Sequence, residues 1–181
     1  MNAAYIERWN ETVGDNDTVY HLGDLCFGAI PQVQEIVELL QGSIILVPGN
    51  HDRWVAEYGR LKEQSSEYEL YSKSGHPFVV NWNQIQEINT EHQRIVLCHF
   101  PMRSWNASYH GSWHLYGHVH TKLKPWGMSM DVGVDAHDGY PIALSQVASY
   151  MEERRKDLDK IWNSKDGTDS ESERLAGEPR R

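Results

Sequence analysis

Seven Asp, Asn and His residues fall in four short polar motifs. The motifs are Gly23-Asp24, Gly49-Asn50-His51-Asp52, Cys98-His99 and Gly117-His118-Val119-His120. Carboxylate, amide and imidazole groups are ligands for divalent cations. Asp24 offers two oxygens and could bridge two cations. His51 and Asp52 are adjacent, and a carboxylate beside an imidazole orients it and raises its pKa, as a general acid needs. His118 and His120 stand at i and i+2, which in an extended segment puts both imidazoles on one side. They could serve one metal or two neighbouring metals. Taken singly, each motif has an ordinary structural explanation: a cap or Asx-turn for Asp24, a turn for Asn50, a satisfied core histidine for His99.

Their order is what raises the signal. Each motif follows a run that reads as a strand: Thr18 to Leu22, Ile44 to Val47, Ile95 to Leu97 and Trp113 to Tyr116. Open α/β sheets bind ligands at strand ends, so four such motifs in series predict a metal site assembled at the edge of a sheet.

The remaining elements must hold those ends together. Asn2 to Val13 reads as an amphipathic helix with Ile6, Trp9 and Val13 near one face. Pro31 to Gln41 reads as a helix, with Pro31 in the first turn, a Val33, Ile36, Val37, Leu40 stripe and Gly42 as a stop. With the strands on either side it forms a strand–helix–strand unit, which implies parallel strands. Trp54 to Glu63 is predicted helical, Tyr68 to Ile88 to hold short antiparallel strands, and Asn89 to His92 to turn into the strand from Arg94. Trp113 to Tyr116 and Met128 to Val134 read as further strands, and Ser145 as the cap of a last helix.

The 181-residue chain is 39% hydrophobic, which suits one core-bearing domain over residues 1–160 and a polar tail over 161–181. The tail is rich in Ser, Asp, Glu and Gly and is expected to be disordered. A net charge of −9 argues against a basic nucleic-acid groove, although bound cations would still allow an anionic substrate. No apolar run is long enough for a membrane span. Met1 to Trp9 has no apolar signal-peptide segment. The two cysteines, Cys26 and Cys98, make no disulfide framework, so a cytoplasmic location is expected.

The set Gly-Asp, Gly-Asn-His-Asp, His and Gly-His-x-His resembles the calcineurin-like metallophosphoesterase superfamily, in its small single-domain bacterial and phage type. The flanking Val19-Tyr20-His21-Leu22, Phe100-Pro101 and Asp131-Val132-Gly133-Val134-Asp135 are similar too. The resemblance runs from about Thr18 to Tyr150. It implies an αββα sandwich, two mixed β-sheets flanked by helices, with two divalent metals (Mn²⁺, Fe or Zn²⁺) at the strand ends. It also implies roles by motif. Asp24 would bridge the metals; Asn50, His99 and His118 would complete the second site; His120 would belong to the first. A metal-bridging hydroxide would attack phosphorus in line. His51 would assist the leaving oxygen with Asp52 supporting it. Apart from the resemblance, Arg53 and Arg103 directly follow ligand loops and could contact the phosphate or form surface salt bridges. The substrate would be a small phosphorylated or nucleotide-like ester, hydrolysed as a mono- or diester.

One family motif is missing. The family carries Asp-x-His at the end of a first strand, upstream of Gly-Asp, and nothing before Asp24 supplies it. The expectation is therefore an N-terminally truncated form whose first metal site keeps only Asp24 and His120. That leaves a second reading, a catalytically impaired scaffold binding one metal or none. A nuclease is a third, but it would want a basic, aromatic-lined track. Among weaker candidates, His110 and His114 could line the substrate mouth or be incidental, and Trp105, Trp113 and Cys98 read as packing residues.

Overall fold

The computed structural model describes residues 3–163. Residues 164–181, most of the expected disordered tail, lie outside them. The tail's expected first residues, 161–163, are instead the end of the last helix.

The first half of the chain builds a three-stranded sheet. Helix α1 (Ala3–Thr12) leads to β1 (Thr18–His21), then α2 (Ile30–Val37), β2 (Ser43–Leu46), α3 (Val55–Gln64) and β3 (Val79–Val80). The sheet order is β1-β2-β3, parallel throughout, with His21 opposite Leu46 and Leu46 opposite Val80. The α2 stripe is why this half folds: Val33, Val37 and Leu40 are fully buried against Ile44 and Leu46 of β2. Each such side chain contributes about 1.5–3 kcal/mol by leaving water. Trp9 of α1 closes the same core, and its indole N–H donates to the Gln41 carbonyl at 2.9 Å.

The second half builds a four-stranded sheet, β4 (Ile85–Asn89), β5 (Arg94–Cys98), β6 (Trp113–Tyr116) and β7 (Ser129–Asp131), in that order. The β4–β5 pair is an antiparallel hairpin, as the turn at Asn89 to His92 predicts; β5, β6 and β7 are parallel. Ile95, Val96, Leu97, Leu115 and Met130 pack there against Val147 and Met151 of α4 (Leu144–Asn163). Two sheets flanked by helices make the expected α/β fold, with the larger sheet mixed and the smaller one wholly parallel among the described strands.

Several local expectations need correction. The region Tyr68 to Ile88 holds antiparallel pairing at its end, where Ile85 to Ile88 of β4 pair with β5, but β3 joins β2 in parallel, with Phe78, fully buried, seating that segment on the first core. An antiparallel bridge links Tyr71 and Pro77 only. Helix α2 stops at Val37, and Leu39 and Leu40 bond back three residues instead. Ser145 does not cap α4, which starts a residue earlier; the Ala143 N–H is satisfied by the Gln146 side chain at 3.0 Å. The last strand ends at Asp131, whose carboxylate accepts from the Gly133 N–H at 2.9 Å and turns the chain.

The topology brings the chemistry to one edge. β1 and β2 are parallel and in register, so the loops after His21 and Leu46 leave side by side. The same holds for the loops after Cys98 and Tyr116. Across the two sheets, His99 Nδ1 bonds the Leu22 carbonyl at 2.6 Å; within the second sheet's edge, Gly117 N–H donates to the His99 carbonyl at 3.1 Å.

Candidate metal centre

Asp24 follows β1 in a left-handed conformation, φ +57°, after Gly23 at φ +91°. Non-glycine residues avoid this region unless their surroundings fix them, and such strain gathers at functional sites. Here the surroundings are Asp52. Its buried carboxylate accepts from three backbone N–H groups: Asp24 at 2.7 Å, Leu25 at 2.9 Å and Gly49 at 2.9 Å. Asp24 returns the bond through Oδ1, which accepts the His51 N–H at 2.9 Å. The two ligand loops therefore lock to each other through reciprocal carboxylate–backbone bonds.

Glycine is required at this junction for space. A Cβ on Gly23 would stand 2.3 Å from the Gly49 nitrogen, and one on Gly49 would stand 2.4 Å from Asp24 Oδ1 and 2.8 Å from His99 Cε1. Contacts that short are impossible, so both positions exclude a side chain.

His99 ends the buried strand β5 and is 2% exposed. A carbonyl can only accept, so the 2.6 Å bond to Leu22 places the proton on Nδ1. With Nδ1 so engaged, the ring nitrogen left to bind a cation is Nε2. Around that atom stand Asn50 Oδ1 at 3.0 Å, His118 Nδ1 at 3.1 Å and Asp24 Oδ2 at 3.4 Å. Ligand atoms of Asp24, His99 and His118 all lie within 4.8 Å of one another. Carboxylate, amide oxygen and imidazole lone pairs converging in this way repel unless a cation lies among them. The donor set, two nitrogens and two oxygens with the second nitrogen of His99 held by a backbone carbonyl, fits a first-row divalent metal.

The Gly117-His118-Val119-His120 segment is not extended. His118, His120 and Thr121 have φ of +66°, +46° and +64°. The two imidazoles consequently part. His118 joins the cluster; His120 turns to Asp135, its Nδ1 in close contact with Asp135 Oδ2, with both side chains substantially exposed. Asp135 is the partner that sequence reasoning did not single out as a site residue, although it lay in the Asp-Val-Gly-Val-Asp run.

The other candidates are placed as follows. His51 is exposed and its ring lies 4.8 Å from that of Phe27. The described bonds of the Asp52 carboxylate go to backbone N–H groups, so its visible work is to hold the loops. Arg53 is exposed just past the cluster. Arg103 lies over Trp126, 4.2 Å from the ring centroid, a cation–π contact. His114 lines no mouth: it sits in β6, fully buried, with Nδ1 on the Val96 carbonyl at 3.1 Å and Nε2 accepting the Met102 N–H at 3.0 Å. Burial holds its pKa below the ordinary value. His21 at the end of β1 is likewise lowered, chiefly by burial, against the opposing pull of Asp52 and Asp24. It stacks on Trp9 with centroids 6.3 Å apart. Both cysteines are free and buried.

Comparisons with known proteins bear on family and fold. The family model described as calcineurin-like phosphoesterase matches residues 2–122. An uncharacterized protein of Methanocaldococcus jannaschii is 26% identical over 161 residues, spanning 84% of this chain and 76% of that one. The gene 66 protein of Mycobacterium phage D29 is 28% identical over 165 residues, spanning 75% of this chain and 76% of its own. Among solved structures, a protein of unknown function from Aquifex aeolicus shares the fold with a TM-score of 0.56 at 19% identity, over 81% of this chain and 83% of that chain.

Proposed function

The chain belongs to the calcineurin-like phosphoesterase family, whose members are metal-dependent phosphoester hydrolases, and we propose that it hydrolyses a small phosphorylated or nucleotide-like ester at the Asp24–Asn50–His99–His118 centre. The observation that carries the reading is the convergence of Asn50, His118 and Asp24 on Nε2 of His99 within 3.4 Å. A bound divalent cation would supply Lewis acidity to the phosphoryl oxygens and to the attacking water.

The chain's own residues do the rest. Leu22 fixes the His99 tautomer, and Asp52 fixes the Asp24 and Gly49 backbones, so the ligands need no reorganisation on binding. His51 is held through its backbone N–H by Asp24 while its ring stays exposed at the edge of the cluster. That position suits it to donate a proton to the leaving oxygen. Arg53, exposed beside it, suits electrostatic attraction of the phosphate. No described helix is long and apolar enough to cross a membrane, and free buried cysteines fit a reducing compartment such as the cytoplasm.

A second reading, a one-metal or metal-free binding scaffold, draws its support from the pairing of His120 with Asp135 outside the cluster. Metal analysis combined with hydrolysis of a generic aryl phosphodiester separates the two. Bound Mn²⁺ with turnover that disappears in Asp24→Asn supports the hydrolase. Tight metal binding without turnover on mono- or diesters favours the scaffold.

A further inference from the structure

The chain has three phenylalanines. Phe78 is fully buried in the first core; the other two, Phe27 at 75% and Phe100 at 37% exposure, both border the metal centre. Phe27 leans on His51, rings 4.8 Å apart at 50°. Phe100 sets its ring against His118 at 4.7 Å and against His99 at 4.9 Å, tilted by 66° and 82°. Neither packing nor the ligand set requires this. The metal cluster is held by hydrogen bonds from Asp52 and Leu22, and Phe27 leaves most of its ring in water. A single exposed apolar residue is unremarkable on a protein surface. Two aromatic rings, on loops from different sheets and each against a histidine of one polar centre, are a different matter. Ligand sites combine apolar surface with a few convergent polar groups.

We propose that Phe27 and Phe100 bind a planar ring on the organic group of the ester, so that the substrate class is aryl or nucleoside phosphoesters and not small aliphatic ones. The proposal rests on the phosphoesterase reading above. His51 connects the two. The side chain placed to protonate the leaving oxygen touches Phe27, so a leaving group at that oxygen comes directly against the exposed ring. Stacking of a planar ring there would cover the apolar surface that the free protein leaves open. Aliphatic groups would cover less of it and lack the π-face.

Calorimetric titration of the Mn²⁺-supplied protein with phenylphosphonate, methylphosphonate and the 5′-phosphonate of adenosine tests this with non-hydrolysable probes. The phenyl probe should bind about 5- to 100-fold more tightly than the methyl probe, the range that base–aromatic stacking gives on alanine substitution. That preference should collapse towards parity in Phe27→Ala or Phe100→Ala and return in Phe27→Tyr. A tighter adenosine probe identifies a nucleoside ester; equal phenyl and adenosine affinities identify a general aryl site, and either supports the proposal. Equal binding of phenyl and methyl probes to the unmodified protein overturns the proposal alone, as does a phenyl preference that survives both alanine variants. Failure of every phosphonate to bind overturns the phosphoesterase reading and the proposal with it.

Discussion

His99 donates its Nδ1–H to the carbonyl of Leu22 at 2.6 Å, and this one bond both joins the two sheets and decides the chemistry of the site. It ties the end of β5 to the loop after β1. It also fixes the tautomer that leaves Nε2 free to meet Asp24, Asn50 and His118. A structural bond thus sets which ring nitrogen faces the cluster.

The cluster should bind metal before it does anything else. Adding Mn²⁺ at a hundred times its dissociation constant should stabilise the folded chain by about 2.7 kcal/mol, a rise of about 5–10 °C in Tm for a protein of this size. Asp24→Asn, His99→Ala and His118→Ala should each abolish the rise, read by thermal melts with and without metal. His120→Ala tests whether the Asp135 pair takes part: an undiminished Mn²⁺ shift there means the four-ligand cluster binds alone.

His51 and Asp52 should separate cleanly in mutation. His51→Ala removes an exposed side chain, so metal binding and Tm should hold while kcat falls about 10²- to 10⁴-fold, the usual contribution of a general acid. Steady-state kinetics with metal analysis checks it. An intact kcat would remove His51 from the chemistry.

Asp52→Asn replaces a carboxylate that accepts three backbone N–H bonds with a group that can turn donors towards donors. It should lower stability by about 1–3 kcal/mol and metal affinity about 10- to 100-fold. Denaturant melts and metal titration give both numbers. Loss of turnover with unchanged stability and metal affinity would instead mean that Asp52 acts on His51.

Gly49→Ala should spare the cores and spoil the site. The new Cβ would press on Asp24 Oδ1 and the Asp24 nitrogen, 2.4 and 2.8 Å away, and the two loops would have to part. Circular dichroism should remain native-like while the Mn²⁺ stabilisation disappears.

Stability should fall on the acid side as buried histidines charge. The pKa of His114 lies below its ordinary 6.5 in the folded chain, chiefly through burial, and His21 shifts in the same direction. Below pH 6.5 the unfolded chain therefore takes up protons that the folded chain does not, so folding stability is full above that value and declines beneath it. Melts of the metal-free protein from pH 8 to 5 should show a plateau and then a fall. His114→Gln should lower the plateau but flatten the fall, since the slope counts protons taken up on unfolding.

Much of this was legible in the residues. The apolar stripe Val33, Ile36, Val37 and Leu40 specifies α2 because helical periodicity is local, and the near-continuous apolar run of β5 specifies a covered strand. Gly23-Asp24, Gly49 to Asp52, His99 and His118 were visible as ligand loops because each follows such a run, and a parallel sheet delivers successive strand ends to one edge. Other features depend on contacts between distant segments. Nothing near Asp52 in sequence says that its carboxylate serves Asp24 and Leu25, 28 and 27 residues away. The pair His118 and His120 reads as two neighbours on one face; only left-handed turns, stabilised by the folded loop, send one to His99 and the other to Asp135. His114 reads as a possible mouth residue or an incidental one until the Val96 carbonyl and the Met102 backbone enclose it. Local patterning determined the elements and the ligand types, because periodicity and turn chemistry act within a few residues. Tertiary structure decided which polar groups face one another and which ring nitrogen of His99 meets the cluster, because contacts between segments far apart in sequence set both.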